Sequence, residues 1–342
     1  MKQRALILCP GRGSYSRDSL GSLKGIINSP SLDAFDAMRA GHNRPTVRQM
    51  DGMNAFKSAI HIRGENASAL TAGISLADLD QINHDAFDVV GVIGNSMGWY
   101  TALGYAGALP MNDCARLIET MGQYQAGNVV GGQIVYPMVD EEWRIDPKAE
   151  KHVNDVIRSH SELYWSIRLG GQAVLGGSEA ALTHAVNVLE PIAQGAHTFP
   201  LRLPLHSAFH TPLMTPARER AEHELADLSW RAPSVPMIDG FGRVHRAGSA
   251  DPKRIRDYTL GNQVTDAFDL RCCIRTALRT VGPDVVILPG PGSNLGSAVA
   301  QVMIEERWSN LQSKENFIDR QNTAPIVLSM RWPDQRVCVV KP

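Results

Sequence analysis

The sequence has little of what marks several classes of protein. Its five cysteines are scattered without C-x-x-C spacing, so neither a disulfide framework nor a zinc site is indicated, and we expect reduced thiols in a cytoplasmic protein. No apolar run approaches the roughly 18 to 20 residues of a membrane span, and the run at residues 5–9 is too short for a signal peptide. With 34 Lys and Arg against 35 Asp and Glu, no overall field favours nucleic acid or a membrane surface. We therefore expect a cytoplasmic globular protein that binds neither.

Three short apolar runs, at residues 5–9, 88–94 and 284–290, predict buried strands. Each run is continuously apolar, which is typical of a parallel sheet covered on both faces. Each ends in Gly or Pro and precedes a helix-like stretch, the β-α-β order of an α/β domain. From residue 128 to residue 204 the pattern changes to β-α-β-α-β, which predicts a small split-βαβ subdomain inserted into the larger one.

The segment G-N-S-M-G at residues 94–98 follows the second apolar run directly. A serine two residues from a glycine on each side, between a strand and a helix, is the arrangement of a nucleophile elbow. The start of the following helix would supply N–H groups that suit an oxyanion. A five-residue pattern of this kind often occurs by chance, so Ser96 is either a nucleophile or a serine in a turn.

A serine nucleophile needs a base, and the segment L-P-L-H-S-A-F-H-T-P-L-M offers His206 and His210 among apolar neighbours. His210 is either that base or a core histidine that caps the next helix. The segment C-P-G-R-G-S after the first strand has Gly11 and Gly13, which allow a tight loop facing the elbow. An ordinary turn or a phosphate loop would also fit, although the third glycine of a dinucleotide site is missing.

Taken in their order along the chain, the three segments resemble the malonyl-CoA:acyl-carrier-protein transacylase family, which includes the acyltransferase domains of polyketide synthases. P-G-R-G-S at 10–14 is similar to the family's P-G-Q-G-S, and G-N-S-M-G to its G-H-S-x-G. F-H-T-P-L-M at 209–214 is similar to F-H-[ST]-P-L-M, and L-P-G-P-G-S-N-L-G resembles a later family segment. The resemblance extends from about residue 5 to residue 303.

The resemblance implies an α/β fold with an α/β-hydrolase-like large domain, built on a parallel sheet, and an inserted ferredoxin-like α+β subdomain. We assign residues 1–127 and 205–305 to the large catalytic domain and residues 128–204 to the subdomain. Residues 306–342 form a C-terminal extension whose role the sequence does not indicate.

The resemblance also implies a ping-pong mechanism. Ser96 would attack an acyl thioester with His210 as general base, and the backbone N–H groups of Arg12 and Met97 would bind the oxyanion. A backbone carbonyl, aligned near Asp269, would orient the histidine. The acyl group would then pass to the phosphopantetheine thiol of an acyl carrier protein. No bound cofactor is implied, because acyl-CoA or an acylated carrier is the donor substrate.

One position departs from the family where it matters for specificity. Met121 aligns with the arginine that pairs with the free carboxylate of a malonyl group, and Arg116 should point to a different face of the helix. A buried carboxylate without its partner is costly, and Met121 suits an apolar acyl chain. We therefore expect a group other than malonyl, unless Arg168 or Arg202 enters the pocket.

Other positions complete the predicted acyl pocket. Asn95 replaces the histidine that usually precedes the serine. Residues 207–210, S-A-F-H, resemble the H-A-F-H form of malonyl-selective domains, and Phe209 argues against α-branched acyl groups. The pocket is expected to contain Met121, Asn95, Phe209 and Ser207.

The expected function is an acyl-carrier-protein S-acyltransferase of fatty acid or polyketide biosynthesis. Alternatives are an acyl hydrolase of the same fold, an ordinary malonyl transacylase, and a non-catalytic carrier-binding homologue. The pair Ser96 and His210 argues against the last.

Overall fold

The computed structural model describes residues 1–124, 129–195 and 197–341. The strands are β1 Gln3–Cys9, β2 Phe87–Gly94, β3 Gly132–Pro137, β4 Leu163–Leu169, β5 Gln172–Gly177, β6 Ile192–Gln194, β7 His197–Phe199, β8 Leu201–Leu203, β9 Met237–Ile238, β10 Val244–His245, β11 Phe268–Asp269, β12 Val285–Leu288 and β13 Val327–Ser329. The helices are α1 Pro30–Gly41, α2 Val47–Asp51, α3 Ser58–His61, α4 Gly64–Leu79, α5 Gly98–Tyr105, α6 Met111–Gln123, α7 Pro147–Arg158, α8 Glu179–Val188, α9 Thr215–Glu224, α10 Pro252–Asp257, α11 Gln263–Thr265, α12 Leu270–Val281, α13 Leu295–Glu305, α14 Lys314–Thr323 and α15 Pro333–Val339. None of the helices within these ranges is long and apolar enough to cross a membrane.

A six-stranded sheet with the order β10-β9-β2-β1-β12-β13 forms the centre of the large domain. All neighbours pair in parallel except the edge strand β10, which is antiparallel to β9. The predicted parallel sheet is therefore confirmed, and the three apolar runs form β2, β1 and β12 at its middle.

Strand β1 shows why these runs are continuously apolar. Ala5, Ile7 and Cys9 face one core, which includes residues of α4, α5 and α6. Leu6 and Leu8 face a second core, which includes residues of α12, α13 and the smaller sheet. Because successive side chains of a strand point to opposite faces, a strand between two cores needs apolar residues at every position.

The smaller sheet has the order β11-β4-β5-β3-β8 and is antiparallel except where β11 joins β4. Its strand β11 comes from Phe268–Asp269, beyond the range 128–204 assigned to the subdomain. The predicted boundary between residues 127 and 128 lies outside the described residues.

The segment 306–342, assigned to a C-terminal extension, is built into the large domain where the structure describes it. Its strand β13 pairs with β12 and forms an edge of the six-stranded sheet. Its last helix, α15, contacts β13 and carries Arg336, which forms an ion pair with buried Asp78 of α4.

Candidate active site

The turn from β2 to α5 is tight enough to require glycine on both sides of Ser96. A Cβ on Gly94 would lie 2.1 Å from the carbonyl carbon of Gly98, and one on Gly98 would lie 2.2 Å from the backbone oxygen of Cys9. Ser96 itself has a φ of 53°, in the left-handed region that residues other than glycine rarely occupy. The glycine spacing thus permits a strained turn that presents the Ser96 hydroxyl.

His210 completes a serine–histidine pair. The Ser96 hydroxyl and His210 Nε2 are 2.7 Å apart, and His210 Nδ1 lies 2.6 Å from the backbone oxygen of Gln263. Because Nδ1 must carry the proton to donate to that carbonyl, Nε2 presents its lone pair to the serine. Burial lowers the pKa of His210 to about 4, and the hydrogen bond that Nδ1 donates to the Gln263 carbonyl opposes the shift. The imidazole is therefore neutral at physiological pH and able to accept the hydroxyl proton.

The prediction that Asp269 supplies the orienting carbonyl is wrong. Asp269 lies at the junction of β11 and α12, where its Oδ1 accepts a hydrogen bond of 2.7 Å from the N–H of Cys272. The carbonyl that contacts His210 belongs to Gln263, at the start of α11. The sequence gives no signal for such a residue, because the functional group is a backbone oxygen that every residue type has.

Gln263 contacts the elbow through its side chain as well. Its Nε2 donates a hydrogen bond of 2.8 Å to the backbone oxygen of Ser96. One residue therefore fixes the backbone of the serine and the tautomer of the histidine.

Arg12 and Met97, whose backbone N–H groups are the expected oxyanion donors, both lie beside the serine. Arg12 begins a 3₁₀ turn directly after the Pro10-Gly11 segment, and a Cβ on Gly11 would lie 3.7 Å from that of Ser96. Met97 is the residue before α5, so its N–H belongs to the first turn of a helix and points to no carbonyl of that helix. The positive end of the helix dipole favours negative charge at the same place.

The guanidinium of Arg12 is held beside the cavity. Its Nη2 donates to the backbone oxygens of Leu205 at 2.7 Å and Ile62 at 3.3 Å. Burial lowers the pKa of Arg12 to about 10, so the group stays charged at neutral pH.

A cavity of about 460 Å³ opens at the serine, between the two sheets. One wall consists of apolar residues of the smaller sheet, namely Val135, Ile167, Leu169, Val174, Leu201 and Leu203. The lining also includes Tyr100 of α5 and Met121 of α6. Of the predicted site residues, those that line the cavity are Ser96, His210, Arg12, Met97, Met121, Asn95, Phe209 and Ser207. Asp269 does not.

The three arginines Arg116, Arg168 and Arg202 do not line the acyl pocket. Arg116 forms two hydrogen bonds of 2.8 and 2.7 Å with exposed Asp227. Arg168 is paired with Glu150 and lies over the ring of Trp165. 

Arg202 is paired with Glu179. Among the described residues, Arg12 carries the only guanidinium or ammonium group that lines the cavity.

No group of three or more His, Cys, Asp and Glu residues that could hold a metal ion occurs in the described part of the chain.

Comparison with known proteins agrees with this geometry. No protein-family model matches the chain. The malonyl CoA-acyl carrier protein transacylase of Salmonella typhimurium is 30% identical over 248 residues, which cover 70% of this chain and 74% of that protein. The solved malonyl CoA-acyl carrier protein transacylase of Coxiella burnetii has a TM-score of 0.75 at 19% identity, with 99% of this chain and 97% of that chain covered.

A further solved structure contains a type II polyketide synthase acyl-carrier protein in complex with its malonyl-transacylase. It has a TM-score of 0.74 at 15% identity, with 99% of each chain covered. At these identities the solved structures show a shared fold, whereas the Salmonella relative shows the family. The chain belongs to the malonyl-CoA:acyl-carrier-protein transacylase family and is an acyltransferase.

Proposed function

We propose that the protein is an acyl-carrier-protein S-acyltransferase of fatty acid or polyketide biosynthesis whose acyl group is not malonyl. The observation that carries this proposal is that Met121 is 3% exposed and lines the cavity. The sequence resemblance aligns this position with the family's carboxylate-binding arginine. Arg116, the nearest arginine on the same helix, is paired at the surface.

Ser96 and His210 would carry out both halves of the reaction. The serine hydroxyl gives its proton to His210 Nε2 while its oxygen forms a bond to the thioester carbon. The C–S bond breaks, and the departing sulfur takes the proton from the imidazole. In the second half, the carrier thiol gives its proton to the imidazole and attacks the ester, and the serine oxygen regains the proton as it leaves.

The Arg12 and Met97 N–H groups would bind the oxyanion in both halves. Such donors are most effective when they are fixed before the charge develops. The placement of Met97 at the start of α5 and of Arg12 in a 3₁₀ turn supports this role.

The donor would be the acyl thioester of a pantetheine arm, on CoA or on an acyl carrier protein, and the acceptor would be the free pantetheine thiol of a carrier protein, without a resident cofactor. The apolar wall from the smaller sheet suits the alkyl part of such an arm. A solved neighbour of the same fold was obtained in complex with its acyl-carrier protein, which supports a carrier protein as the partner here.

The selection against malonyl follows from charge. A carboxylate taken out of water needs a cation or several donors, and an uncompensated one costs several kcal/mol, on the order of 3–5. Met121 supplies neither and is compatible with an uncharged chain. Phe209, beside His210, lines the cavity, and the resemblance to malonyl-selective domains implies that it would disfavour branches at the α-carbon.

Ordinary malonyl transfer is the second candidate, because the Arg12 guanidinium lines the cavity and several relatives are named malonyl transacylases. In that case Arg12 would have to serve as the carboxylate partner, although its Nη2 already donates to two backbone oxygens.

Intact-protein mass spectrometry tests the proposal. The protein is mixed with malonyl-, acetyl-, butyryl- and octanoyl-CoA, with and without holo acyl carrier protein, and Ser96→Ala is the control. We expect neutral acyl adducts that Ser96→Ala lacks and that pass to the carrier.

A malonyl adduct that forms as fast as the neutral ones and passes to the carrier would overturn the specificity. Loss of the adduct to water in the presence of holo carrier would favour the hydrolase instead.

A further inference from the structure

The segment 207–211, which carries His210, is contacted by two buried polar side chains of the smaller sheet. Ser166 Oγ of β4 lies 2.8 Å from the backbone oxygen of Phe209, the residue before the histidine. Gln133 Nε2 of β3 lies 2.7 Å from Ser166 Oγ and 3.4 Å from the same Phe209 oxygen. Both side chains are buried. The three groups form a hydrogen-bonded cluster that ends on the backbone next to His210.

The directions of these hydrogen bonds follow from the groups that make them. The Phe209 carbonyl can only accept, so the atom of Gln133 that approaches it is the amide nitrogen. That nitrogen also donates to Ser166 Oγ, which leaves the hydroxyl proton of Ser166 for the Phe209 carbonyl. Gln133 therefore orients the hydroxyl of Ser166, and Ser166 in turn donates to the chain that carries His210.

Ser166 lies at an irregularity of its strand. The register of β4 against β5 shifts between Trp165 and Ile167, which leaves Ser166 as an inserted residue. An inserted residue of this kind changes the direction in which side chains point, and such bulges are frequent beside active sites. A buried hydroxyl without a partner is costly, and here the Phe209 carbonyl is the partner.

The rest of the smaller sheet also fits closely against this segment. A Cβ on Gly176 of β5 would lie 2.8 Å from Thr211 Cγ2 and 3.3 Å from Ser166 Cβ, so a larger residue there would push the segment away. The N–H of Ala208 donates to the backbone oxygen of Val130, just before β3, at 2.8 Å. The smaller sheet therefore contacts the His210 segment at several points besides Ser166.

The peptide group between Phe209 and His210 is held at both ends. Its oxygen accepts from Ser166 of the smaller sheet, and its N–H donates to the backbone oxygen of Val264 in α11 at 2.9 Å. Because a peptide group is planar, its orientation sets the φ of His210, which is 62° and left-handed. A residue other than glycine keeps such a conformation only where its surroundings impose it. Without Ser166, one of the two restraints on this peptide group is lost. 

We propose that Ser166 and Gln133 are positioning residues for His210, which hold its backbone so that Nε2 stays 2.7 Å from the Ser96 hydroxyl. This inference rests on the proposed role of His210 as the general base. It gives the smaller sheet a part in the reaction besides lining the cavity. Gln133 lines the cavity, whereas Ser166 is not among the described residues that do, so Ser166 is the cleaner position to test.

Ser166→Ala, made with and without His210, tests the proposal. Reaction of Ser96 with a serine-directed fluorophosphonate is followed by intact-protein mass spectrometry. We expect Ser166→Ala to slow this reaction roughly 10- to 100-fold, since misplacing a catalytic group by about 1 Å can cost about 100-fold. In a His210→Ala background the same substitution should change the rate by less than about twofold, because residues that act as one unit are not additive.

The outcomes separate this inference from the proposed function. An equal fold-loss with and without His210 would overturn the positioning role and leave His210 as the base. A His210→Ala variant that reacts as fast as the parent would overturn the base itself, and this inference with it.

Substrate kinetics provide a second reading. The CoA thioester that acylates Ser96 fastest in the mass-spectrometry panel should lose maximal rate in Ser166→Ala, with its half-saturating concentration within about twofold of the parent. A higher half-saturating concentration with the maximal rate retained would overturn the proposal, because it would assign Ser166 to substrate binding.

Ser29→Ala is the matched control for loss of stability. Ser29 is as fully buried as Ser166, and its hydroxyl donates to Asp80 Oδ2 at 2.6 Å, away from the cavity lining. Each substitution removes a buried, hydrogen-bonded hydroxyl, so the urea midpoints of both variants should fall. Only Ser166→Ala should slow the fluorophosphonate reaction. Equal slowing in the two variants would reduce the effect to stability and overturn the proposal.

Gln133→Leu tests the same cluster without altering the bulge, and it serves if Ser166→Ala does not fold. It leaves the hydroxyl of Ser166 without the donor that orients it. We expect a loss of about threefold or more with His210 present and less than about twofold in the His210→Ala background. A loss of the same size in both backgrounds would overturn the positioning role of Gln133.

Discussion

The reaction centre and the acyl end of the cavity owe their properties to different features of the chain. At the reaction centre, Ser96 and His210 both have left-handed backbone, with φ of 53° and 62°. The position of Ser96 requires the glycines on either side of it, and the position of His210 is held by a hydrogen bond to a backbone carbonyl. At the acyl end, Met121 lies on the regular helix α6, where one side chain can replace another without a change of backbone. The chemistry is therefore fixed by the chain path and the specificity by single side chains.

Gly98→Ala should have the largest effect, because the added methyl group would force the backbone to move at the reaction centre. The added Cβ would lie 2.2 Å from the backbone oxygen of Cys9 in the central strand β1, and neither backbone can move freely. We expect no detectable acyl-enzyme and a loss in the free energy of unfolding of about 3 kcal/mol or more. Mass spectrometry and urea denaturation measure the two effects.

Gly296→Ala is the control for that substitution. Gly296 lies in helix α13, where the added Cβ would approach Leu288 no closer than 4.0 Å. Alanine is favoured over glycine inside a helix, so this variant should be as stable as the parent or more stable by up to about 1 kcal/mol. Equal behaviour of the two variants would show that the elbow is less constrained than its geometry indicates.

The same contrast explains what could be predicted from the sequence. The elbow and the parallel sheet leave strong patterns, because glycines at fixed spacing and uninterrupted apolar runs are the residues that those backbones require. Gln263 leaves none, since its contact with His210 is through a backbone oxygen, and the alignment with the family indicates Asp269 instead. Strand β13 lies in the β-like run P-I-V-L-S-M at residues 325–330, but three residues give too short a pattern to predict that they form an edge of the central sheet.

Met121→Arg tests whether the acyl end can be changed without disturbing the reaction centre. A guanidinium at the buried cavity wall would pair with a malonyl carboxylate. We expect the ratio of malonyl to butyryl acylation rates to rise roughly 30- to 150-fold, as 2–3 kcal/mol for a charge-assisted pair implies.

Arg116→Ala should leave that ratio within about twofold, because Arg116 is paired with Asp227 at the surface and surface pairs contribute little. A parent protein that already prefers malonyl would show that Met121 is not the selecting position.

The pH dependence of Ser96 reactivity tests how strongly His210 is desolvated. The base must be neutral, and burial lowers the pKa of His210 from 6.5 to about 4. Reaction with a serine-directed fluorophosphonate should therefore keep about 0.9 of its rate at pH 5, whereas a histidine of ordinary pKa would keep about 0.03. Half-loss of the rate near pH 6.5 would contradict the burial of this group.

Stability must be followed at the same pH values. Between pH 6.5 and about 4 the unfolded chain binds a proton at His210 and the folded chain does not. This group therefore lowers the free energy of unfolding as the pH falls through that window. Circular dichroism at each pH separates loss of the fold from protonation of the base.

The C-terminal segment, residues 306–341, is expected to have the smallest effect on the reaction. It reaches the oxyanion loop, which is the segment 10–14 that contains Arg12, only through other residues. Arg336 Nη1 lies 2.5 Å from Asp78 Oδ1, and Asp78 Oδ2 accepts a hydrogen bond of 2.8 Å from the N–H of Gly290. The loop from Gly290 packs closely on the segment before Arg12, since a Cβ on Gly290 would lie 2.9 Å from Pro10 Cγ. Burial raises the pKa of Asp78 to about 6, and Arg336 opposes that shift.

Arg336→Met removes the cation and leaves Asp78 buried, so the pKa of Asp78 should rise further. The hydrogen bond from the N–H of Gly290 to Asp78 Oδ2 should then weaken. We expect the acylation rate to fall about fivefold and the free energy of unfolding to fall by about 3 kcal/mol. Arg336→Lys, which keeps the charge, should retain most of the acylation rate and most of the free energy of unfolding.

If the rate of Arg336→Met falls while its stability is unchanged, the segment acts on the reaction by another route. If stability falls and the rate of the folded protein is unchanged, the oxyanion loop keeps its geometry without this support, and the constraint at the reaction centre is confined to the elbow and His210.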